Sequence, residues 1–282
     1  MLSICRYLAA VAALLLLLPD LFSAEREKTT VNRWGISVNY ARIADHSFSN
    51  LQYGGVLVGI SGAHGAFYRG SDSWSWEITD RIGVAPGLVN TARTNMLNMY
   101  SADLGYGAYW NTGSRWRLRL GSVLGCGGAL KTVPLFKNNS VSVDGRVMIS
   151  AAMGVSREFR VGSSVLKAGW SGSTPVAGVM FVPQEGMTTT ETVWKNAVPR
   201  SLHFASFHNC QGLDGALWVD FLTGFVGLRA AVVHNHRWWH SSGTQYYVKE
   251  IGVQIGITVA LSMRRSADAI RKLHIAPKGY QV

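Results

Sequence analysis

The chain has 282 residues, 48% of them hydrophobic and 15% charged, with 31 Gly, 10 Trp and a formal net charge of +11. So much apolar content with so little charge excludes a disordered chain, and three cysteines are too few for a disulfide-stapled scaffold. The longest uninterrupted apolar run, Leu8–Leu18, falls short of the roughly 20 residues that a bilayer-spanning helix needs. One Gly- and aromatic-rich domain remains, either globular or a membrane β-barrel.

The N-terminal stretch reads as a secretory signal over residues 1–24. Arg6 supplies the charged start, Leu8–Leu18 the apolar centre, and Ser23-Ala24 the small-residue exit before the polar Glu25-Arg26-Glu27-Lys28. Beyond it the dominant hydrophobic period is two rather than 3.6, which is the signature of strands. In chain order the candidate strands are 31–41, 51–67, 73–84, 97–110, 114–131, 140–155, 158–171, 176–182, 200–208, 213–222, 225–236 and 246–263. The clearest runs from Glu250 to Leu261, with Ile251, Val253, Ile255, Ile257, Val259 and Leu261 on one face. In the run from Trp74 to Val84 the alternation has one misfit, Asp80.

Two turns set expected registers. Asn111-Thr112-Gly113 would place Gly107 opposite Arg117, Gly105 opposite Arg119 and Tyr106 opposite Leu118. The loop Thr223-Gly224 would place Val219 opposite Leu228, Phe221 opposite Val226 and Trp218 opposite Arg229, with Asp220 diagonal to that arginine. Each register keeps polar with polar and apolar with apolar, whereas a slip of one residue would reverse every face.

Alternation alone does not say which face is outside. A soluble sandwich turns its apolar face inward; a membrane barrel turns it to lipid. Three features favour the barrel. The polar face sets isolated charges among Gly, Ser and Ala, as a crowded interior requires, and after the signal there are only 8 Lys against 18 Arg. Trp34, Tyr40, Trp74, Trp76, Trp110, Trp116, Trp170, Trp238, Trp239, Tyr246 and Tyr247 sit near strand ends, as in the aromatic girdles of outer-membrane barrels. The expected fold is all-β: a transmembrane antiparallel up-and-down barrel of ten to twelve strands over residues 25–263, twelve favoured. A basic tail, 264–282, follows with Arg264, Arg265, Arg271 and Lys272, and 267–275 could form a short helix. In the twelve-strand count the short connections 111–113, 156–157 and 223–224 fall at the periplasmic end. The long Thr-rich segment 183–199 also falls there, where it does not belong; it is either a lumenal plug or a sign that the count is ten.

The polar face is the candidate binding surface. It carries Arg33, Arg81, Arg115, Arg117, Arg119, Arg146 and Arg229 against Glu77, Asp103, Asp144, Asp220 and Glu250, with Trp218 beside Arg229. Such a lumen either attracts small anionic solutes or is a closed, ion-paired filling, because unpaired buried charge is costly. The overall positive charge suits lipopolysaccharide phosphates at the outer loops; nucleic acid does not suit an exported chain.

Other constellations carry less. His234, His236 and His240 read as an interfacial aromatic-basic loop rather than a metal site, since no carboxylate accompanies them. Ser206, His208 and Asn209 are close in sequence, but strand neighbours point apart, and there is no G-x-S-x-G. No catalytic residue, cofactor or metal is expected. Cys126 and Cys210 are expected to be unpaired thiols, Cys126 on the lipid side with Trp116.

The second half resembles a known family. The stretches are Ala168-Gly169-Trp170, Pro175 through Gly186 with Met180-Phe181-Val182-Pro183 the most distinctive part, and Ser201-Leu202-His203-Phe204, followed by the strands 213–221, 225–236 and 253–261. They are similar to the exported proteins of Gram-negative gut and oral bacteria grouped as domain of unknown function 3316. The resemblance covers most of the chain after the signal. It implies an exported outer-membrane protein with no known activity, and it transfers no catalytic residue. The resulting expectation is an outer-membrane barrel, structural or weakly pore-forming. The alternatives are a lipid-modifying barrel enzyme and a periplasmic β-sandwich binding protein.

Overall fold

A computed structural model describes residues 27–46, 49–69, 73–112, 116–135, 141–182, 192, 195, 198–241 and 244–263. Residues 1–26, which hold the expected signal, and the basic tail from 264 lie outside the described residues. Among the described residues the period-two runs form eleven strands: β1 Glu27–Asp45, β2 Ser49–Arg69, β3 Ser73–Asn90, β4 Met96–Thr112, β5 Trp116–Thr132, β6 Val141–Val161, β7 Ser164–Phe181, β8 Leu202–Ser206, β9 Cys210–Thr223, β10 Val226–Ser241 and β11 Thr244–Met263.

All pairings are antiparallel, and the sheet closes on itself. Each strand from β1 to β7 pairs with the next, β9 pairs with β10 and β10 with β11, and β1 meets β11 over its whole length. β8 and β9 run along the same edge of β7, β8 against Ala177–Phe181 and β9 against Ser164–Ser173. They are one wall of the barrel, interrupted by an excursion at Phe207, His208 and Asn209. Asn209 closes that excursion: its Oδ1 accepts from the Ser206 N–H and its Nδ2 donates to the Phe204 carbonyl, both at 2.8 Å. The barrel therefore has ten walls, not the favoured twelve. Two expected strands, 158–171 and 176–182, share their residues between the end of β6 and a single β7, and the turn falls at Gly162-Ser163 rather than at 156–157. Gly162 adopts φ +61° there, a left-handed turn that glycine takes without strain.

Ten walls also resolve the misplaced long segment. An even count puts residues 27 and 263 at one end of the barrel, together with the short connections around 70–72, 113–115, 162–163 and 224–225. β1, β3, β5, β7 and β10 all finish at the opposite end, called here the loop end, and β8 starts there; the other is the turn end, and most of 183–199 lies outside the described residues. Following cross-strand partners once round, from Ala168 through Val219, Ala230, Ile255, Ile36, Ile60, Ile82, Ala102, Gly128 and Gly145, returns to β7 at Phe181. That stagger of thirteen residues, one absorbed by the bulge facing Ile149 and Ser150, gives strands tilted by about 35–45°.

The expected hairpin registers slip, and always by an even number. Gly105 faces Gly125 and Gly107 faces Val123, while Arg119 faces Asn111. Phe221 faces Leu228, Trp218 faces Ala231, and Asp220 is directly opposite Arg229 rather than diagonal to it. An even slip preserves side-chain parity, so each residue keeps its face.

That parity decides the outer surface. Ile255, Ile36, Ile60 and Ile82 lie side by side on four adjacent strands and are 69%, 61%, 63% and 60% exposed. A belt of this kind, carried right round the wall, is far more than a monomeric soluble protein exposes, and it is what lipid requires. Trp74 pairs with Trp110 at the turn-end edge of the belt, and Trp238, His240 and Tyr247 mark the loop-end edge. His234, His236 and His240 stand on the outer face of β10 itself, not on a loop, because the strand continues to Ser241. His236 packs edge-on against Tyr247, and His240 stacks on Trp238. Asp80 is the one charge in the middle of the belt on β3; its carboxylate lies over Gly62, the residue opposite, where no side chain competes for the space. Trp239 and Tyr246, by contrast, turn inward and are buried, so these two leave the girdle.

Replacing Ile255 by Arg puts a charge in the belt and is expected to lower the stability of the folded barrel in lipid vesicles by about 2–4 kcal/mol. Urea titration of the vesicle-inserted protein measures this. A surface isoleucine of a soluble sandwich would give almost no change.

Candidate functional site

The inward parity positions form three tiers of charge across the lumen. At the loop end, apolar side chains from the upper parts of most strands meet: Ile43, Tyr53, Leu57, Leu88, Leu97, Met99, Val133 and Trp239 are essentially without exposed surface. Inside this layer Lys131 is wholly buried between Asp45 and Asp144, its Nζ 2.6 Å from Asp144 and 4.7 Å from the centre of the Tyr246 ring. An ammonium there must be paired, since a lone buried charge costs several kcal/mol.

The middle tier is balanced. Arg146 pairs with Asp103, and Arg237 reaches Asp214 at 2.9 Å and Asp103 at 3.9 Å. Arg81 pairs with Glu250 at 2.5 Å, and the Asn235 amide donates to the same carboxylate oxygen at 3.1 Å. Three cations face three carboxylates.

At the turn end Glu77 accepts from both Arg33 and Arg119, the latter at 3.5 Å, and Arg229 pairs with Asp220 at 3.1 Å. Aromatic faces line this tier. The Arg119 guanidinium sits 3.4 Å from the Tyr109 ring centre and Arg229 4.7 Å from that of Trp218. Glycines make the first stack possible: a Cβ on Gly121 would come within 2.8 Å of the Tyr109 ring, and one on Gly107 would strike it. The room that glycine gives thus goes to the tyrosine, and only through it to the arginine. A cavity of about 450 Å³ runs through the tiers, lined among others by Arg33, Arg81, Asp103, Arg119, Arg146, Trp218 and Arg229.

The sequence-named residues Arg33, Glu77, Arg81, Asp103, Arg119, Arg146, Trp218, Asp220, Arg229 and Glu250 all point inward, in tiers rather than in one cluster. Arg117 stands exposed at the turn-end rim, and Arg115 lies outside the described residues. Sequence reasoning passed over Lys131, Asp45, Arg237, Asp214, Lys167 and Tyr109. Arg237 lies in a stretch read as a loop, and its odd parity with Arg229 on an extended β10 would have found it.

The interruption between β8 and β9 corrects another expectation. Residues 207–209 form a turn, and Ser206 Oγ and His208 Nδ1, two residues apart across its start, are 2.5 Å from each other. Asn209, the natural orienting group for a third position, has its amide engaged by the backbone on both sides. Cys126 is on the outer face and Cys210 is buried inward, both as free thiols. Among the described residues no cluster of three or more His, Cys, Asp or Glu is placed to hold a metal.

Exchanging Lys131 for Met is expected to cost about 3–5 kcal/mol, because Asp45 and Asp144 are then buried without a counter-charge. Adding Asp45→Asn and Asp144→Asn should restore most of the loss. Urea unfolding of the single and triple variants tests this, and equal losses in both would contradict it.

The model of a family described as protein of unknown function (DUF3316) matches residues 2–263. No curated protein matches the chain. Among solved structures it is similar to the outer membrane protease OmpT from Escherichia coli, at 8% identity and a TM-score of 0.43 over 85% of this chain and 98% of that one. It is also similar to Neisserial surface protein A, at 12% identity and 0.30 over 81% and 96%. A third is Ail, the attachment invasion locus protein of Yersinia pestis, at 6% identity and 0.31 over 82% and 98%.

Proposed function

The chain belongs to the DUF3316 family, and we propose that it is an outer-membrane barrel that does not conduct: a structural barrel whose loop end faces the cell exterior and is sealed from within. The observation that carries this reading is Lys131, fully buried between two carboxylates inside an apolar layer at the loop end. A continuous water path through that layer would hydrate the ammonium and expose its neighbours. The orientation follows from loop length, since barrels keep short turns in the periplasm and longer loops outside. Export by the signal over residues 1–24 brings the chain there. The outward Arg42 and Lys249 at the loop-end rim suit the phosphates of lipopolysaccharide.

In planar bilayers the purified barrel is expected to give no single-channel steps above the lipid baseline. Reproducible ohmic or anion-selective steps would replace this reading by the weakly pore-forming one. Heat-modifiable migration of the protein in the outer-membrane fraction checks location and fold together; recovery as a soluble periplasmic protein would remove both.

One observation favours a second reading, a lipid-directed hydrolase at the interruption between β8 and β9: the short Ser206–His208 contact on the outer half of the wall. It requires phospholipid turnover in mixed micelles that Ser206→Ala abolishes. The sealed-barrel reading expects turnover at the background rate in both proteins.

A further inference from the structure

Lumenal charge is not evenly shared. At the loop end one ammonium faces two carboxylates, and in the middle tier three cations face three carboxylates. In the turn-end half, among the described residues, Arg33, Arg119, Arg229 and Lys167 face Glu77 and Asp220. Lys167 lies between Glu158 and Asp220 in register, but Glu158 stands exposed at the turn-end rim, as does Arg117. The surplus is therefore about two positive charges in the half of the lumen away from the sealed end.

Arg119 is the group this surplus leaves unfinished. One of its nitrogens reaches Glu77 at a long 3.5 Å. Its Nε and Nη2 are buried and have no protein partner among the described residues. Buried donors normally find acceptors, and an arginine presents such a pair in a fork that fits a carboxylate or phosphate. The walls around it are aromatic: Tyr109 lies under the guanidinium, Phe67 is 5.8 Å away, and Trp218 backs Arg229. Arg33, Arg119, Arg229, Tyr109 and Trp218 line the turn-end part of the cavity of about 450 Å³ that runs through the tiers.

We propose that this turn-end half of the lumen is a binding pocket for a small organic anion: a carboxylate held by the free edge of Arg119 with Arg33 and Arg229, on a flat apolar body lying against Tyr109 and Trp218. The inference deepens the sealed-barrel reading and rests on it for direction, since a closed loop end leaves the turn end as the entry. Glu77 competes with the ligand for Arg33 and Arg119, so the pocket is tuned by the carboxylate that occupies it when empty.

The test uses the whole folded barrel in detergent, with heat-modifiable migration confirming the fold of each variant. Benzoate is titrated by calorimetry and by the fluorescence of the protein's tryptophans; inorganic phosphate is titrated as the anion without an apolar body. Saturable benzoate binding is expected, with phosphate at least tenfold weaker. Arg119→Met, which keeps the packing against Tyr109 and leaves Glu77 paired with Arg33, should weaken benzoate at least tenfold. Glu77→Gln should strengthen it several-fold, a direction that simple damage to the fold would not produce. No benzoate binding, binding indifferent to Arg119→Met, or phosphate bound as well as benzoate would each overturn the proposal. None of these outcomes depends on conductance, so a barrel that conducts yet binds in this way would fail the sealing and keep the pocket.

Discussion

A lysine with no exposed surface can be kept charged only by acids buried beside it, and Lys131 on β5 finds them on β1 and on β6. That requirement ties distant parts of the ring together. Asp45 is 86 residues from Lys131 in the chain, and the two can meet only if the barrel is closed and the register correct. The same holds for Arg81 and Glu250, 169 residues apart. A slip of one residue in any wall would turn one member of such a pair out toward lipid. Ion pairs of this kind add little to stability beyond what apolar packing would supply, yet breaking one is expensive. They act as a check on closure and register.

The lumen is graded along the barrel. Apolar side chains fill the loop end, balanced ion pairs the middle, and a cationic, aromatic-lined space the turn end. The grading has a local origin in the strands. Alternate inward positions near the loop end are large and apolar, such as Leu57 and Met99, while toward the turn end glycines such as Gly107 and Gly121 open the wall and let Tyr109 lie flat beneath Arg119. The same inward row is therefore core at one end of a strand and cavity wall at the other.

Much of this was legible in the residues. Period two identified most of the strands, and the Gly, Ser and Ala setting of isolated charges identified the inward face. The faces survived although both expected hairpin registers were displaced, because the displacements were even. The strand count failed where it depended on where a hairpin turns. Gly162-Ser163 lies inside the expected strand 158–171, and the excursion at 207–209 overlaps the end of the expected strand 200–208, so that one wall reads as two strands. Trp239 and Tyr246 read as girdle residues in the sequence because an aromatic near a strand end suits lipid interface and lumenal cap equally. Lys131, a single lysine near the end of a strand, had nothing in its neighbourhood to mark it, since both of its partners come from other strands.

The sequence by itself determined the element type, the two faces of nearly every strand and the excess of arginine among the inward charges, because a period of two is a local property that no long-range contact can alter. The tertiary structure alone decided how many walls close the ring, which charges meet across it and at which end the buried apolar layer lies. Those depend on stagger and on turn position, where a shift of two residues keeps the pattern intact and still changes every partner.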